Sequence, residues 1–229
     1  MYRFSLLFLG LFACSAEPSK EATSAAEDSG EPAFPPVTVE STSFSPDPPY
    51  TNDTLVLTTV FAGGDPAQTV SALYEWYVID AVSEEDETIQ TGTQDQLMGV
   101  SFFDRDDQVY VIVKPSEGSP YTTPTVTVSN TPPSVVYIGI TPEIPMVGQD
   151  ELRCTINLSS TDDDMDIVRY TYQWTDGAGE VQQLTESTTA AYDVLSADKL
   201  TVGTWQCEVT PDDGSLTAPS ATASVEVGG

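Results

Sequence analysis

The stretch Tyr170-Thr171-Tyr172-Gln173-Trp174 decides how this chain reads. Together with Val168, its even-numbered residues are large and apolar or aromatic, while Thr171, Gln173 and Thr175 are polar. Sustained alternation of this kind is the period of a strand with one buried face. Trp205-Gln206-Cys207-Glu208-Val209 alternates in the same way with its odd positions inward, and Glu151-Leu152-Arg153-Cys154 opens a third run. Clusters of turn formers separate the runs, among them Ser45-Pro46-Asp47-Pro48-Pro49, Ala62-Gly63-Gly64-Asp65, Asp176-Gly177-Ala178-Gly179 and Asp212-Asp213-Gly214. Beyond the first residues no long stretch carries the period of an amphipathic helix. An all-β fold is expected.

The pattern occurs twice. Leu73-Tyr74-Glu75-Trp76 matches Thr171-Tyr172-Gln173-Trp174, and Thr51-Asn52-Asp53-Thr54-Leu55-Val56-Leu57 matches the seven residues ending at Cys154. Val113-Lys114-Pro115-Ser116-Glu117-Gly118 likewise matches Val209-Thr210-Pro211-Asp212-Asp213-Gly214. All three matches fall at offsets of 96 to 98 residues, which is the signature of an internal repeat. In this register Leu57 and Val111 stand where the second copy has Cys154 and Cys207. Asn130-Thr131-Pro132-Pro133 is the expected joint, stiffened by proline.

A cysteine, a tryptophan and a second cysteine on successive strand-like runs resemble the core of an immunoglobulin-like sandwich. The Tyr-x-Trp strand, the Pro-Asp-Asp-Gly turn and the Asn-Thr-Pro-Pro opening resemble the tandem Ig-like or PKD-like modules of bacterial surface proteins. The resemblance implies two antiparallel β-sandwiches, residues 37–131 and 132–229, stacked end to end. It also implies a disulfide between Cys154 and Cys207, with apolar packing in its place in the first copy. Such a resemblance speaks to fold far more than to function.

The N-terminus, Met1-Tyr2-Arg3 followed by an apolar run to Ala13, is too short to span a bilayer and has the form of a secretory signal. Leu11-Phe12-Ala13-Cys14 resembles the lipobox of bacterial lipoproteins, with a bulkier Phe12 than is usual there. It implies removal of residues 1–13 and lipid (palmitate among its acyl chains) on Cys14, and Ser15 after it implies the outer membrane of a Gram-negative cell. Residues 14–36, rich in Ser, Ala, Glu and Pro, read as a disordered tether. Export places the two remaining cysteines in an oxidising compartment.

The chain carries 36 acidic and 7 basic residues, a formal net charge of −29, and no histidine. Cleavage would remove Arg3 and no acid. Such a surface repels nucleic acid and anionic headgroups and attracts cations and basic partners. The lipid is thus the only expected link to membrane. The phosphate-binding, dinucleotide and nucleophile-elbow motifs are absent, and histidine, the commonest general base, is missing. Ser196-Ala197-Asp198-Lys199 matches the Ser-x-x-Lys of penicillin-recognising enzymes by letter only. A noncatalytic protein is expected.

Two places remain for function. In an Ig-like topology Asp162-Asp163-Asp164-Met165-Asp166 and Asp212-Asp213 fall in loops at one end of the second sandwich. The opposite end of the first sandwich presents Asn52, Asp53, Asp104, Asp106 and Asp107. Acidic loops would converge at the joint, much as in cadherin-like tandem repeats, where calcium stiffens the junction. The candidate ligands are Asp162, Asp164, Asp166, Asp212, Asp213, Asp104 and Asp106. An EF-hand is excluded, since Ile167 stands where its turn needs glycine and Gln173 where a glutamate is required. Solvated turns, in which aspartate is favoured, are the other reading. The second place is the outer face of the first copy. If Trp76 and Val111 point inward, Tyr77, Ile79, Tyr110 and Ile112 point outward, opposite the polar Thr175, Gly177, Gln206 and Glu208 of the second copy. That face is either a contact surface for a protein or glycan or is covered by a strand or hairpin from residues 80–100. The function expected is binding or adhesion at the cell envelope. The alternatives are a structural spacer or assembly component and a hydrolase accessory subunit.

Overall fold

The computed structural model describes residues 34–229. The signal segment, Cys14 and the tether up to residue 33 lie outside the described residues. Phe34–Pro36, the end of the expected tether, already touch the first sandwich: the Gly64 N–H donates to the Pro35 carbonyl at 2.7 Å. Gly63, at φ 79°, sits so close to the Pro36 carbonyl that a Cβ would collide with it. Among the described residues no helix is long and apolar enough to cross a membrane.

Residues 38–127 supply β1 (Thr38–Ser45), β2 (Thr54–Ala62), β3 (Ala72–Ile79), β4 (Asp86–Gly92) and β5 (Gln96–Met98), then a helical turn α1 (Gly99–Phe102). β6 (Gln108–Pro115), β7 (Tyr121–Thr122) and β8 (Val126–Thr127) follow. One sheet has the order β1-β2-β5 and the other β4-β3-β6-β7, with β8 also pairing β6. Residues 137–227 repeat the plan with β9 (Tyr137–Thr141), β10 (Leu152–Leu158), β11 (Arg169–Thr175), β12 (Val181–Thr188), β13 (Tyr192–Leu195), a 3₁₀ turn (Ala197–Lys199), β14 (Gly203–Asp212) and β15 (Ala221–Val227). Their sheets are β13-β10-β9 and β12-β11-β14-β15, and every pairing between these strands is antiparallel. The chain is a tandem of Ig-like antiparallel β-sandwiches.

The register shows why the alternating runs specify this fold. Trp174 lies directly across from Cys207, and Trp76 directly across from Val111. Leu152 pairs with Leu195 as Leu55 pairs with Leu97, so Leu57 occupies the place of Cys154. Cys154 and Cys207 are joined, with Cα atoms 6.4 Å apart. The inward positions Tyr172, Trp174, Trp205, Cys207 and Val209 are buried in one core, and Leu55, Leu57, Trp76, Val109, Val111 and Val113 in the other. Each buried indole N–H keeps a partner: Trp76 donates to the Gln94 carbonyl at 3.1 Å, Trp174 to the Asp193 carboxylate at 2.9 Å and Trp205 to the Thr201 carbonyl at 3.0 Å.

Candidate functional site

The joint is built from three turns and the linking segment. In the first sandwich the Asp53 carboxylate accepts the Tyr50 N–H at 2.8 Å, closing the turn that presents Thr51. Asp107 does the same for the next turn, its two carboxylate oxygens accepting the N–H groups of Ala81 and Asp104, both at 2.8 Å. Asp106 adopts φ 72° there, which aspartate tolerates better than most residues. These local bonds leave the Arg105 side chain directed to the second sandwich. On that side Asp162 Oδ1 accepts the N–H groups of Asp164 at 2.9 Å and Asp166 at 3.2 Å, folding the loop so that all three carboxylates gather.

Oxygens of Asp162, Asp164 and Asp166 come within 4.8 Å of one another. Like charges about 4 Å apart repel by roughly 4 kcal/mol at an effective dielectric of 20. Arg105 offsets this. Its guanidinium bonds the Asp166 carboxylate and lies 4.0 Å from Asp164 Oδ2, and the Asp166 hydrogen bond holds the Arg105 pKa above its ordinary value. The Asp164 side chain, 1% exposed, accepts the Thr51 hydroxyl and, at 2.6 Å, the Thr131 N–H. Asn130 bridges further: its amide oxygen accepts from Arg105 at 2.6 Å and its NH₂ donates to Asp213 at 2.9 Å. Burial pulls the Asp213 carboxyl up, but the bonds from Leu216, Asn130 and Ser215 outweigh it and leave the group below the ordinary carboxylate range. Asp162 goes the other way: burial first, then the charges of Asp164 and Asp166, raise it despite the two backbone bonds. Its Oδ2 is buried and, among the described residues, accepts no hydrogen bond.

Of the seven aspartates read as candidates, the structure gathers Asp162, Asp164 and Asp166 and ties Asp213 to them through Asn130. Asp212 and Asp104 are not in the group. Asp212 accepts the Gly214 N–H at 2.6 Å within its own turn. Asp106 stays 74% exposed, 3.8 Å from the Arg105 Nε. The residues missed from sequence are Thr51 and Arg105; Asn130 and Thr131 read there as the joint but not as partners of the carboxylates. Arg105 carried a legible signal, a lone cation inside Asp104-Arg105-Asp106-Asp107, the turn expected to face the joint.

The outer face of β3 and β6 is the second place. Tyr77 and Tyr110 are direct cross-strand partners with rings stacked 4.8 Å apart and 6° from parallel. The Tyr110 hydroxyl donates to Asp86 at 2.8 Å, and burial together with that carboxylate pushes the phenol up to about 12. Lys114 and Glu75 pair at 2.5 Å on the same face. Tyr77, Ile79, Tyr110 and Ile112 are half-buried. Residues 80–100 do not fold over them: β4 pairs laterally with β3 in the same sheet, and β5 joins β2 in the opposite one.

No family model matches the chain, and no curated protein does. Among solved structures the chicken interferon gamma receptor alpha chain is similar over 86% of this chain and 100% of its own, with 10% identity and a TM-score of 0.50. The FN1–FN3 domains of chicken CNTN1 align with 85% of this chain at 16% identity and a TM-score of 0.38, and this chain spans 66% of their length. A two-domain fibronectin type III segment of chicken tenascin aligns with 82% of this chain and 98% of its own at 11% identity and a TM-score of 0.44. Likeness at such identities is one of fold.

Proposed function

We propose that the chain is a noncatalytic lipoprotein of the cell envelope, held in an outer membrane through Cys14, whose first sandwich binds a protein or glycan partner. The observation that carries this reading is the Tyr77–Tyr110 stack, flanked by Ile79 and Ile112, on a sheet face that no other strand among the described residues overlies. Stacked tyrosines offer large, rigid contact area at little entropic cost. The second copy, polar at the same positions, serves as the internal control. The double variant Tyr110→Ser, Ile112→Ser is expected to lower retention of envelope partners at least about tenfold, the scale of losing one interface anchor. Losing the stack together with the half-buried area of both side chains costs roughly 2–3 kcal/mol of stability, and melting should stay cooperative. Full retention by the folded variant would overturn the proposal. The alternative is a spacer or assembly component, supported by the hydrogen-bonded joint. A spacer would tolerate this variant and respond to changes in the joint.

A second reading concerns calcium at the joint. The buried, unpartnered Asp162 Oδ2 and the raised Asp162 carboxyl both favour a cation beside the three carboxylates, where calcium would compete with the Arg105 guanidinium. Titration calorimetry on the full-length chain should give calcium heat at millimolar ion, with affinity about tenfold higher in Arg105→Met, a change worth about 1.4 kcal/mol. Absence of heat from both proteins would sink this reading.

A further inference from the structure

A cavity of about 510 Å³ lies in the first sandwich where the β3–β4 hairpin overhangs α1. That volume is within the range of ordinary ligand sites. It opens at the seam between the two sheets, since β4 belongs to one and β5, which leads into α1, to the other. Val78 and Phe103, both buried, and the half-buried Ile89 line it. One wall is acidic, with Glu85 and Glu87 exposed on the hairpin and Asp104 exposed beyond α1. None of these three carboxylates accepts a hydrogen bond among the described residues. Asp80 and Asp107 also line the cavity, but their oxygens hold the turns, Asp80 accepting from Val82 and Ser83 and Asp107 from Ala81 and Asp104. The other wall is an apolar ledge on α1, where Val100 is 69% and Phe102 39% exposed. Among the described residues no lysine or arginine lines it.

The second copy shows what a closed seam looks like. Its hairpin is shorter, with Thr175 already paired to Val181 across the Asp176–Gly179 turn. From its 3₁₀ turn, the counterpart of α1, Lys199 donates to Gln183 of β12 at 3.0 Å and bridges the seam. The first copy puts Gly-Val-Ser-Phe there, with no cation, and lengthens the hairpin. Cation and bridge are replaced by apolar side chains facing free carboxylates.

We propose that this cavity binds a basic, partly apolar peptide segment of a partner protein, its lysine or arginine placed among Glu85, Glu87 and Asp104 and a neighbouring apolar side chain resting on Val100 and Phe102. Charge decides the occupant. A second copy of the chain, at a net charge of −29, would be repelled, and so would its own acidic residues 15–36. A bare metal ion would leave the ledge unused. The site is separate from the Tyr77–Tyr110 face and stands or falls independently of it.

The test is fluorescence anisotropy of a labelled Lys-Leu-Lys-Phe-Lys peptide with the full-length chain. The double variants Glu85→Gln, Glu87→Gln and Val100→Ser, Phe102→Ser, all at exposed positions, should each weaken binding about tenfold. A charge-matched control on the second sandwich, Glu151→Gln with Glu186→Gln, should change it less than about twofold, as expected of remote charges screened by salt. Lys-Ser-Lys-Ser-Lys should bind about tenfold more weakly than the parent peptide. Three results overturn the proposal: an equal loss in the control, which means unspecific attraction; equal binding of the serine peptide, which leaves the ledge without a role; and displacement by about 1 mM calcium but not by sodium at equal ionic strength, which assigns the carboxylates to a divalent cation.

Discussion

Replacing Cys154 and Cys207 together by alanine is expected to lower the stability of the second sandwich by at least about 4 kcal/mol while the first unfolds almost as before. The two cysteines are 53 positions apart, and closing a loop of that size removes unfolded-state entropy worth roughly 4 kcal/mol in the chain-entropy model. Both cysteines are fully buried, and Cys207 faces Trp174 across the strand pair. Truncation to alanine therefore adds a packing loss to the entropic one. For a sandwich of this size, the shift in calorimetry is about 20 °C. The first sandwich has no such bond to lose, because Leu57 and Val111 fill the equivalent space as buried apolar side chains. It should change only by the share of the joint, about 1–2 kcal/mol, that disappears when its neighbour unfolds. Two transitions should separate in the variant. Loss of equal size in both would mean that the sandwiches unfold as one unit and that their cores are not independent.

The cores were legible in the sequence because a strand forces alternation: once Trp174 is placed inward, Tyr172 and Tyr170 follow, and so do Trp205 and Val209 across the sheet. The offset between copies carried that parity to Leu57 and Val111. The end of each sandwich that faces the other was also legible, since loops alternate between the two ends of an Ig-like topology. What could not be read was which aspartates are used. Asp104, Asp106, Asp107 and Asp212 share a letter and a setting, yet Asp107 and Asp212 accept N–H groups within their turns while Asp106 points to solvent. Arg105 stood out as a lone cation among aspartates, but which carboxylates it would reach was hidden for a related reason: the reach of a long side chain depends on the φ/ψ of its turn, which no periodicity records. The fate of residues 80–100 turned on hairpin geometry. β4 pairs beside β3 and β5 beside β2, which leaves the tyrosine face uncovered among the described residues and opens the cavity at the seam between the sheets.

Asp164→Ala is expected to be the most damaging single change at the joint, costing about 2–4 kcal/mol and uncoupling the two sandwiches. The Asp164 side chain is 1% exposed and collects donors from both sides: the Thr51 hydroxyl of the first sandwich and the N–H and hydroxyl of Thr131 in the link, at 2.6 and 3.3 Å. Thr51 itself is buried. Removing the carboxylate takes the partner from these three donors, of which the Thr51 hydroxyl is on a buried residue, and each group left unsatisfied costs roughly 1–3 kcal/mol. It also takes away part of the charge that Arg105 faces, although Asp166 remains. Asp166→Ala should cost less, about 1 kcal/mol, because its side chain is 28% exposed and water can replace it at Arg105. Thr51→Val isolates the contact: in a double-mutant cycle with Asp164→Ala the coupling should reach at least about 1 kcal/mol, as for residues in one buried network. Small-angle scattering of the Asp164 variant should show a broader range of angles between sandwiches that are each still folded. Wild-type scattering and unchanged transitions in Asp164→Ala would mean that the joint is held by its prolines alone, and the polar network would then have no mechanical role.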